Sequence, residues 1–233
     1  MLSNARVISM EQGDVYEYRA FFRKTGRAKY ISHLDLYRTI QRSFKRAGLP
    51  VWHTLGFNPH IYLTFPLPIS LGYEGVRESF DFRLCNDMPA EEVIRRLNGA
   101  LPEGIIIVGL DVPVCKAESI AMADYTLTLS GGGLDGEALL EKWQGFFSQK
   151  EIIAEKRSKK GLRPVDLKPM ILKADACASG DTLQLQLTLT AGISVNLNPT
   201  LVTDTFGSWA GFEPDYHSIR RDAVRCGDGA EFR

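Results

Sequence analysis

The sequence has few cysteines, and none of them are arranged in close pairs. Its four cysteines, at positions 85, 115, 177 and 226, stand far apart in 233 residues. It therefore lacks both the CxxC pairs of zinc ribbons and redox sites and the CxxxCxxC motif of radical S-adenosylmethionine (SAM) proteins. This spacing predicts buried or inert thiols in a reduced, cytoplasmic protein, because disulfides are rare in that compartment. We expect no cofactor and no metal ion in this chain.

Long apolar segments are also lacking. No window approaches the ~20 apolar residues that span a bilayer, and the first twenty residues lack the apolar core of a signal peptide. The hydrophobic content of 44% and charged content of 24% are ordinary for a globular protein. The composition thus predicts a protein with no membrane partner, long enough for two small domains.

Acidic residues are almost absent from residues 19–46. The whole chain is balanced, with 28 basic and 28 acidic residues. In this stretch, however, Asp35 is the one acid among nine basic residues, which are Arg19, Arg23, Lys24, Arg27, Lys29, Arg38, Arg42, Lys45 and Arg46. A basic patch of this kind attracts polyanions such as RNA. The same charges also fit an ordinary solvated helix face.

Much of this basic stretch has the pattern of an amphipathic helix, "YISHLDLYRTIQRSFKRAG". Ser32 is the predicted N-cap, and Gly48 and Pro50 end the helix. The apolar stripe at helical spacing consists of Leu36, Tyr37, Ile40, Phe44 and Ala47. The opposite side carries the predicted binding residues Arg38, Arg42, Lys45 and Arg46, together with Lys24 from the preceding strand.

The order of predicted elements indicates an α+β fold. The first half reads strand, helix, strand ("VWHTL"), strand, helix and buried strand ("GIIIVGLDV"), the ferredoxin-like βαββαβ order. The second half repeats this order loosely, with strands at "DYTLTLS", "KEIIAEKR", "TLQLQLTLT" and "HSIRRDAV". We therefore expect two tandem ferredoxin-like lobes with mainly antiparallel sheets, residues 1–116 and 117–233, the second with a loop-like basic insertion at 156–176.

The segment from His53 to Gly72, "HTLGFNPHIYLTFPLPISLG", has no charged side chain. Its prolines and glycines break a helix, and it is too apolar for an ordinary surface loop. Gly56 and the Asn58-Pro59 pair favour a turn. We expect it to line a recognition groove beside the basic helix, with Phe57, Asn58 and His60 contacting the ligand. The alternative is that its aromatic residues plug the sheet edge.

Two further groups of residues are candidates for function. Lys159, Lys160 and Arg163 belong to a second basic cluster that either grips phosphates or is a solvated loop. His33 lies in the first turn of the basic helix, where the helix dipole favours a neutral imidazole. It is a candidate general base if the protein processes RNA. Otherwise it only helps to organise the helix start.

Two stretches carry a family resemblance. They are "FFRKTGRAKYISHLDLYRTIQRSFKRAGLPVWHTLGFNPHIYLTFPLPISLGYEG" and "KRSKKGLRPVDLKPMI". Together they closely resemble the bacterial radical-SAM-linked protein family, a conserved domain of unknown function. The resemblance implies a radical SAM protein as partner and establishes no catalytic role for any matching residue. The missing cluster cysteines agree with an accessory chain.

Three functions are compatible with these features. The first is an accessory module, without catalytic activity of its own, that presents an RNA or ribonucleoprotein substrate to the radical SAM partner. The second is a metal-independent RNA-processing endonuclease resembling the CRISPR repeat-RNA endonucleases. The third is a protein–protein adaptor, which would not need the basic residues.

Overall fold

The computed structural model describes residues 5–10, 13–158 and 161–233. They form two compact units, one of residues 1–119 with 231–233 and one of residues 120–230. Both units combine helices with mainly antiparallel strands, so the predicted α+β class is confirmed. None of the helices in the described ranges is long and apolar enough to cross a membrane. No disulfide joins the four cysteines, all of which lie among the described residues; Cys226 is buried, whereas Cys85 and Cys177 are exposed.

Unit 1 contains two helices and five strands. In chain order these are β1 (Arg6–Met10), β2 (Gly13–Lys24), α1 (His33–Arg46), β3 (Leu63–Thr64), β4 (Glu74–Leu84), α2 (Ala90–Ala100) and β5 (Ile105–Asp111). The strand β2 pairs with β4 along one edge and with β1 and then β5 along the other, all antiparallel. The short β3 pairs with β4. The two longest strands, β2 and β4, therefore form the centre of this sheet.

The helix α1 begins and packs as its sequence predicts. Ser32 is the N-cap, and its hydroxyl oxygen accepts a hydrogen bond from the backbone N–H of Asp35. Leu36, Ile40 and Phe44 are completely buried, and the Phe44 ring lies 4.9 Å from that of Phe82 on β4. The apolar stripe thus fixes α1 on the sheet and turns its basic face outward.

The C-terminal residues 231–233 complete unit 1. The ring of Phe232 is buried, and the Arg19 guanidinium lies 4.2 Å from its centroid. The backbone N–H groups of Val114 and Cys115 donate to the carbonyl oxygen of Arg233. The tail thereby covers Arg19, which is 2% exposed and would otherwise meet water.

Unit 2 contains two helices and six strands. They are β6 (Ile120–Gly131), α3 (Gly136–Phe147), β7 (Ile153–Ser158), β8 (Gly161–Asp166), β9 (Ile171–Ser179), β10 (Thr182–Thr190), α4 (Pro199–Ala210) and β11 (Pro214–Cys226). The strand order β11-β6-β10-β9 is antiparallel throughout. The four leucines of β10, from Leu183 to Leu189, are buried as predicted. Asn198 caps α4, which ends at Gly211 with a left-handed φ of 75°.

Three predicted elements differ in the structure. "VWHTL" forms only isolated bridges at Val51 and His53, since the turn and the proline-rich path that follow interrupt the ladder. The strand β5 is buried on one face only: Ile105 and Ile107 point into the core, whereas the alternating residues Ile106 and Val108 are exposed on the other face. The expected loop at 156–176 instead contains a β7–β8 hairpin and the start of β9. "KEIIAEKR" belongs to that hairpin, and β9 takes the place beside β10.

Candidate nucleic-acid interface

A groove lies between the basic face of α1 and the segment that follows it. It has a volume of about 340 Å³. The lining residues are Arg38, Gln41, Arg42 and Lys45 of α1, with His53, Pro59, His60 and Ile61 opposite. We call it the α1 groove. The four helical residues follow i, i+3, i+4 and i+7 spacing, so they share one face of the helix.

The charge of the α1 groove is positive. Three of its lining residues are cationic at neutral pH, and none is acidic. Arg38 lies 3.4 Å from Asp35, but both side chains are more than half exposed, so water screens this pair. Within the described ranges, Arg42 and Lys45 form no salt bridge. The groove therefore keeps a positive potential that attracts phosphate groups.

The loop opposite α1 is held by its own hydrogen bonds. The backbone N–H of Thr54 donates to the carbonyl oxygen of His60 over 2.8 Å, and the N–H of His60 donates to Oγ1 of Thr54 over 3.2 Å. Nδ1 of His60 lies 3.1 Å from both Thr54 Oγ1 and the carbonyl oxygen of Asn58. Gly56 adopts a φ of 118°, which a residue with a Cβ rarely adopts. The loop thus has a defined shape beside the groove.

Only part of the uncharged segment is exposed. From Leu55 to His60 the residues are exposed, and the ring of Phe57 is fully so. Further on, Ile61, Leu63 and Ile69 are buried. Pro59, His60 and Ile61 line the groove, whereas the ring of Phe65 packs against Phe22 and Phe80. Different side chains of the same segment thus form the groove wall and the plug at the sheet edge.

Four predicted binding residues of unit 1 do not line the groove: Lys24, Arg46, Phe57 and Asn58. Phe57 and Asn58 lie in the exposed loop beside it, whereas Lys24 and Arg46 are held elsewhere. Lys24 is completely buried, and its Nζ donates to the carbonyl oxygen of Lys29 over 3.1 Å. Arg46 donates to the carbonyl oxygen of Ala100 over 2.6 Å and to the hydroxyl of Ser43. Arg46 thereby satisfies a carbonyl at the C-terminal end of α2 and joins the two helices. Neither cation faces the α1 groove. The ammonium group of Lys24 binds the chain that follows β2, and the guanidinium group of Arg46 binds the end of α2.

Four lining residues were not among the predicted contacts: Gln41, His53, Pro59 and Ile61. Gln41 could have been found, since it lies one helical turn from both Arg38 and Lys45. The other three depend on how the loop returns to α1, which local patterns do not encode. The groove contains two histidines, but no group of three or more metal-ligating side chains occurs in the part of the chain that the structure describes.

The second basic cluster is only partly described. Lys159 and Lys160 lie outside the described residues. Arg163 is exposed on β8. Lys168 follows this hairpin, and its Nζ donates to the carbonyl oxygen of Phe147 and lies 3.6 Å from the centroid of the Phe147 ring. Between the two described residues Arg163 and Lys168, Arg163 is the one exposed for contact with a ligand.

A larger cavity in unit 2, of about 670 Å³, is a weaker candidate for a polyanion. Its basic residues are balanced by carboxylates at short distances. Arg225 lies 2.6 Å from Asp124, and Lys173 lies 2.6 Å from Asp175. Because these charges are paired, the cavity has no excess positive potential to attract phosphates.

His33 stands at the first position of α1 but does not line the α1 groove. Its ring lies edge-on to Phe65, with 5.0 Å between centroids. Partial burial lowers the pKa of His33 below its ordinary value of 6.5, and the nearby charge of Lys24 lowers it further. The imidazole is therefore neutral at pH 7.

The lowered pKa of His33 leads to a prediction about how folding stability depends on pH. The folded state binds fewer protons at His33 than the unfolded state, so this residue makes stability fall as the pH drops below 6.5. We expect its ring proton resonance to titrate in NMR with a midpoint below 6.5 and to return to the ordinary value in urea. A His33→Gln variant assigns the resonance. A native midpoint at or above 6.5 would contradict the prediction.

These features define an α+β protein with a cationic groove on its first helix. Comparison with known proteins identifies its family. Residues 17–199 match the model of a family described as "Uncharacterized protein conserved in bacteria (DUF2344)". Because the match covers more than half of the sequence, the chain belongs to this family. A search of the curated proteins finds no match.

Two solved structures resemble the chain at low sequence identity. A chain in the "Crystal Structure of a Cbf5-Nop10-Gar1 Complex" is 14% identical with a TM-score of 0.45, over 84% of this chain and 46% of that one. The "Crystal Structure of an Unknown Protein from Galdieria sulphuraria" is 11% identical with a TM-score of 0.26, over 89% and 97%. The present chain thus spans about half the length of the first.

Proposed function

We propose that this protein is an RNA-binding accessory module, without catalytic activity of its own, that presents an RNA or ribonucleoprotein substrate to a radical SAM partner in the cytoplasm. The observation that carries the proposal is the α1 groove, where Arg38, Arg42 and Lys45 face a loop with no acidic lining residue. Phosphate contacts supply most non-specific affinity for nucleic acid. A groove of this charge suits a polyanion better than a neutral peptide.

The radical SAM part of the proposal rests on sequence. The motifs at residues 21–75 and 156–171 resemble the radical-SAM-linked family, and the chain has no CxxxCxxC motif. Any radical chemistry would therefore belong to the partner. We also propose that each unit is a ferredoxin-like lobe. The strand orders β5-β2-β4-β3 and β11-β6-β10-β9 support this assignment. The sequence places the boundary between the lobes after residue 116, whereas the compact units divide after residue 119 and unit 1 includes residues 231–233.

The charge of the α1 groove makes the main prediction of this proposal. In titrations of a labelled single-stranded RNA, affinity should fall steeply with salt, with a log–log slope of ~0.7 per phosphate contact. A double variant, Arg42→Gln with Lys45→Gln, should lose about two contacts and flatten the slope by about 1.4. The measurement is fluorescence anisotropy at several salt concentrations.

The matched control is Arg95→Gln with Arg96→Gln. It removes the same net charge from α2, where both arginines pair with Glu92, and should leave the slope nearly unchanged. If both double variants lose affinity equally, net charge and not the groove governs binding. If wild type shows no binding at low salt, the RNA proposals fail and the protein–protein adaptor remains.

The endonuclease remains a second candidate because the pKa of His33 is lowered, as suits a general base. The test is incubation of labelled cellular RNA with the protein in EDTA. The accessory-module proposal predicts no cleavage. Cleavage that His33→Ala abolishes while RNA binding stays intact would favour the enzyme instead.

The partner is tested by capture of the tagged chain from its native cells, with and without ribonuclease. We expect a radical SAM protein to be recovered in both samples, and RNA in the untreated one. Recovery of the radical SAM protein with no RNA in either sample would favour the adaptor. Recovery of RNA without any radical SAM protein would remove the partner from the proposal.

A further inference from the structure

We propose that the RNA in the α1 groove is unpaired and that one of its bases stacks on the ring of Phe57. This inference rests on the proposed function and names the class of substrate. It starts from the three phenylalanine and tyrosine side chains of the uncharged segment: Phe57, Tyr62 and Phe65.

The structure separates these three rings. Phe65 packs among Phe22 and Phe80, with centroids 6.1 Å and 5.7 Å away. The guanidinium of Arg83 covers Tyr62 at 4.0 Å from its centroid. The ring of Phe57 is fully exposed and makes no ring contact among the described residues. Phe57 is therefore the ring with both faces available to a ligand.

The exposure of Phe57 does not come from a loosely held chain. The loop that carries it is closed by the hydrogen bonds between Thr54 and His60 and by the contact of His60 with the carbonyl oxygen of Asn58. Pro59 also fixes the backbone next to Asn58. Because these contacts fix the loop backbone, the Phe57 ring loses little conformational entropy when a ligand covers it.

The surroundings of Phe57 favour a nucleic acid over an apolar protein surface. Two residues along the chain, Pro59 lines the α1 groove beside Arg42 and Lys45. An aromatic ring next to a cationic groove is the combination that single-stranded nucleic acids require, since phosphates follow the charge and bases stack on the ring. A duplex hides its base faces within the helical stack. An unpaired strand can use both features at once, whereas a duplex can use only the charge.

The test uses the full chain with a labelled 12-nucleotide RNA, alone or annealed to its complement. Phe57→Ala should weaken binding of the single strand roughly tenfold and leave the salt slope of wild type unchanged. Phe57→Trp should retain affinity and show quenching of the added tryptophan on binding. Leu55→Ala is the matched control, since Leu55 is an exposed apolar residue of the same loop, and should change affinity less than twofold.

Several outcomes would overturn the inference. If Phe57→Ala binds the single strand as wild type does, or if wild type binds the duplex equally well, base stacking fails while the salt-dependent groove stands. If Phe57→Ala keeps RNA affinity but no longer captures the radical SAM protein, the ring is a protein contact. Absence of salt-dependent binding in wild type would instead defeat the proposed function itself. Equal melting temperatures of wild type and Phe57→Ala would exclude unfolding as the cause of lost affinity.

Discussion

Replacement of Asp81 by alanine is expected to lower the free energy of unfolding by about 3–5 kcal/mol. The Asp81 carboxylate accepts two hydrogen bonds from Arg19, at 2.6 Å and 2.7 Å. The Arg19 side chain is 2% exposed, so the variant leaves a buried cation without its carboxylate. Urea unfolding followed by circular dichroism measures the loss.

The pKa of Asp81 indicates that the pair with Arg19 adds little net stability, although the loss of one partner is costly. Burial is the largest influence and raises the pKa, while the hydrogen bonds from Arg19 oppose this rise. Desolvation therefore outweighs the attraction to Arg19, as is common for buried ion pairs.

Two variants control this prediction. Arg19→Met in the Asp81→Ala background should recover part of the lost stability, because no unpaired charge then remains. Asp175→Ala breaks an ion pair with Lys173 that is more than half exposed and should cost much less stability than Asp81→Ala, because water screens the pair. A loss below 1 kcal/mol for Asp81→Ala would mean that water reaches Arg19 in unit 1.

Phe80→Ala is expected to cost about 3–5 kcal/mol of unfolding free energy. The ring of Phe80 is completely buried and lies within 6.2 Å of four other phenylalanine rings, those of Phe22, Phe44, Phe65 and Phe82. Removing it leaves a cavity between α1 and the sheet. The same denaturation experiment measures this loss.

Phe57→Ala is the matched control for Phe80→Ala. It makes the same chemical change at a fully exposed ring and should alter the unfolding free energy by less than about 0.5 kcal/mol. Equal losses in the two variants would show that the loop carrying Phe57 contributes to the core. A loss confined to Phe80→Ala would agree with a Phe57 ring that lies outside the core.

The parts of the fold that local chemistry determines could be predicted from the sequence. The helix α1 has its cap at Ser32 and its buried stripe from Leu36 to Phe44, and α4 runs from its cap at Asn198 to Gly211, because caps and helical spacing act over a few residues. The alternating leucines of β10 identified a strand with one buried face in the same way.

The remaining features depend on contacts between distant residues. "KEIIAEKR" has the composition of a strand, but its partner β8 lies close in sequence and competes successfully with the main sheet. Lys24 resembles its exposed basic neighbours in sequence, yet chain folding after β2 buries it. The cationic side of the groove could be predicted from helical spacing, and the segment opposite from its lack of charge. Which residues of that segment line the groove depends on the return of the loop at His60.

The tail at residues 231–233 has a consequence for synthesis on the ribosome. The residues that cover Arg19 emerge only after the 111 residues of unit 2, 120–230, have been made. Until then the nascent N-terminal unit has its strands and helices but not the Phe232 ring over Arg19. The N-terminal unit can therefore complete its packing only after unit 2 has been translated. A fragment ending at Ser119 would lack the Phe232 ring over Arg19.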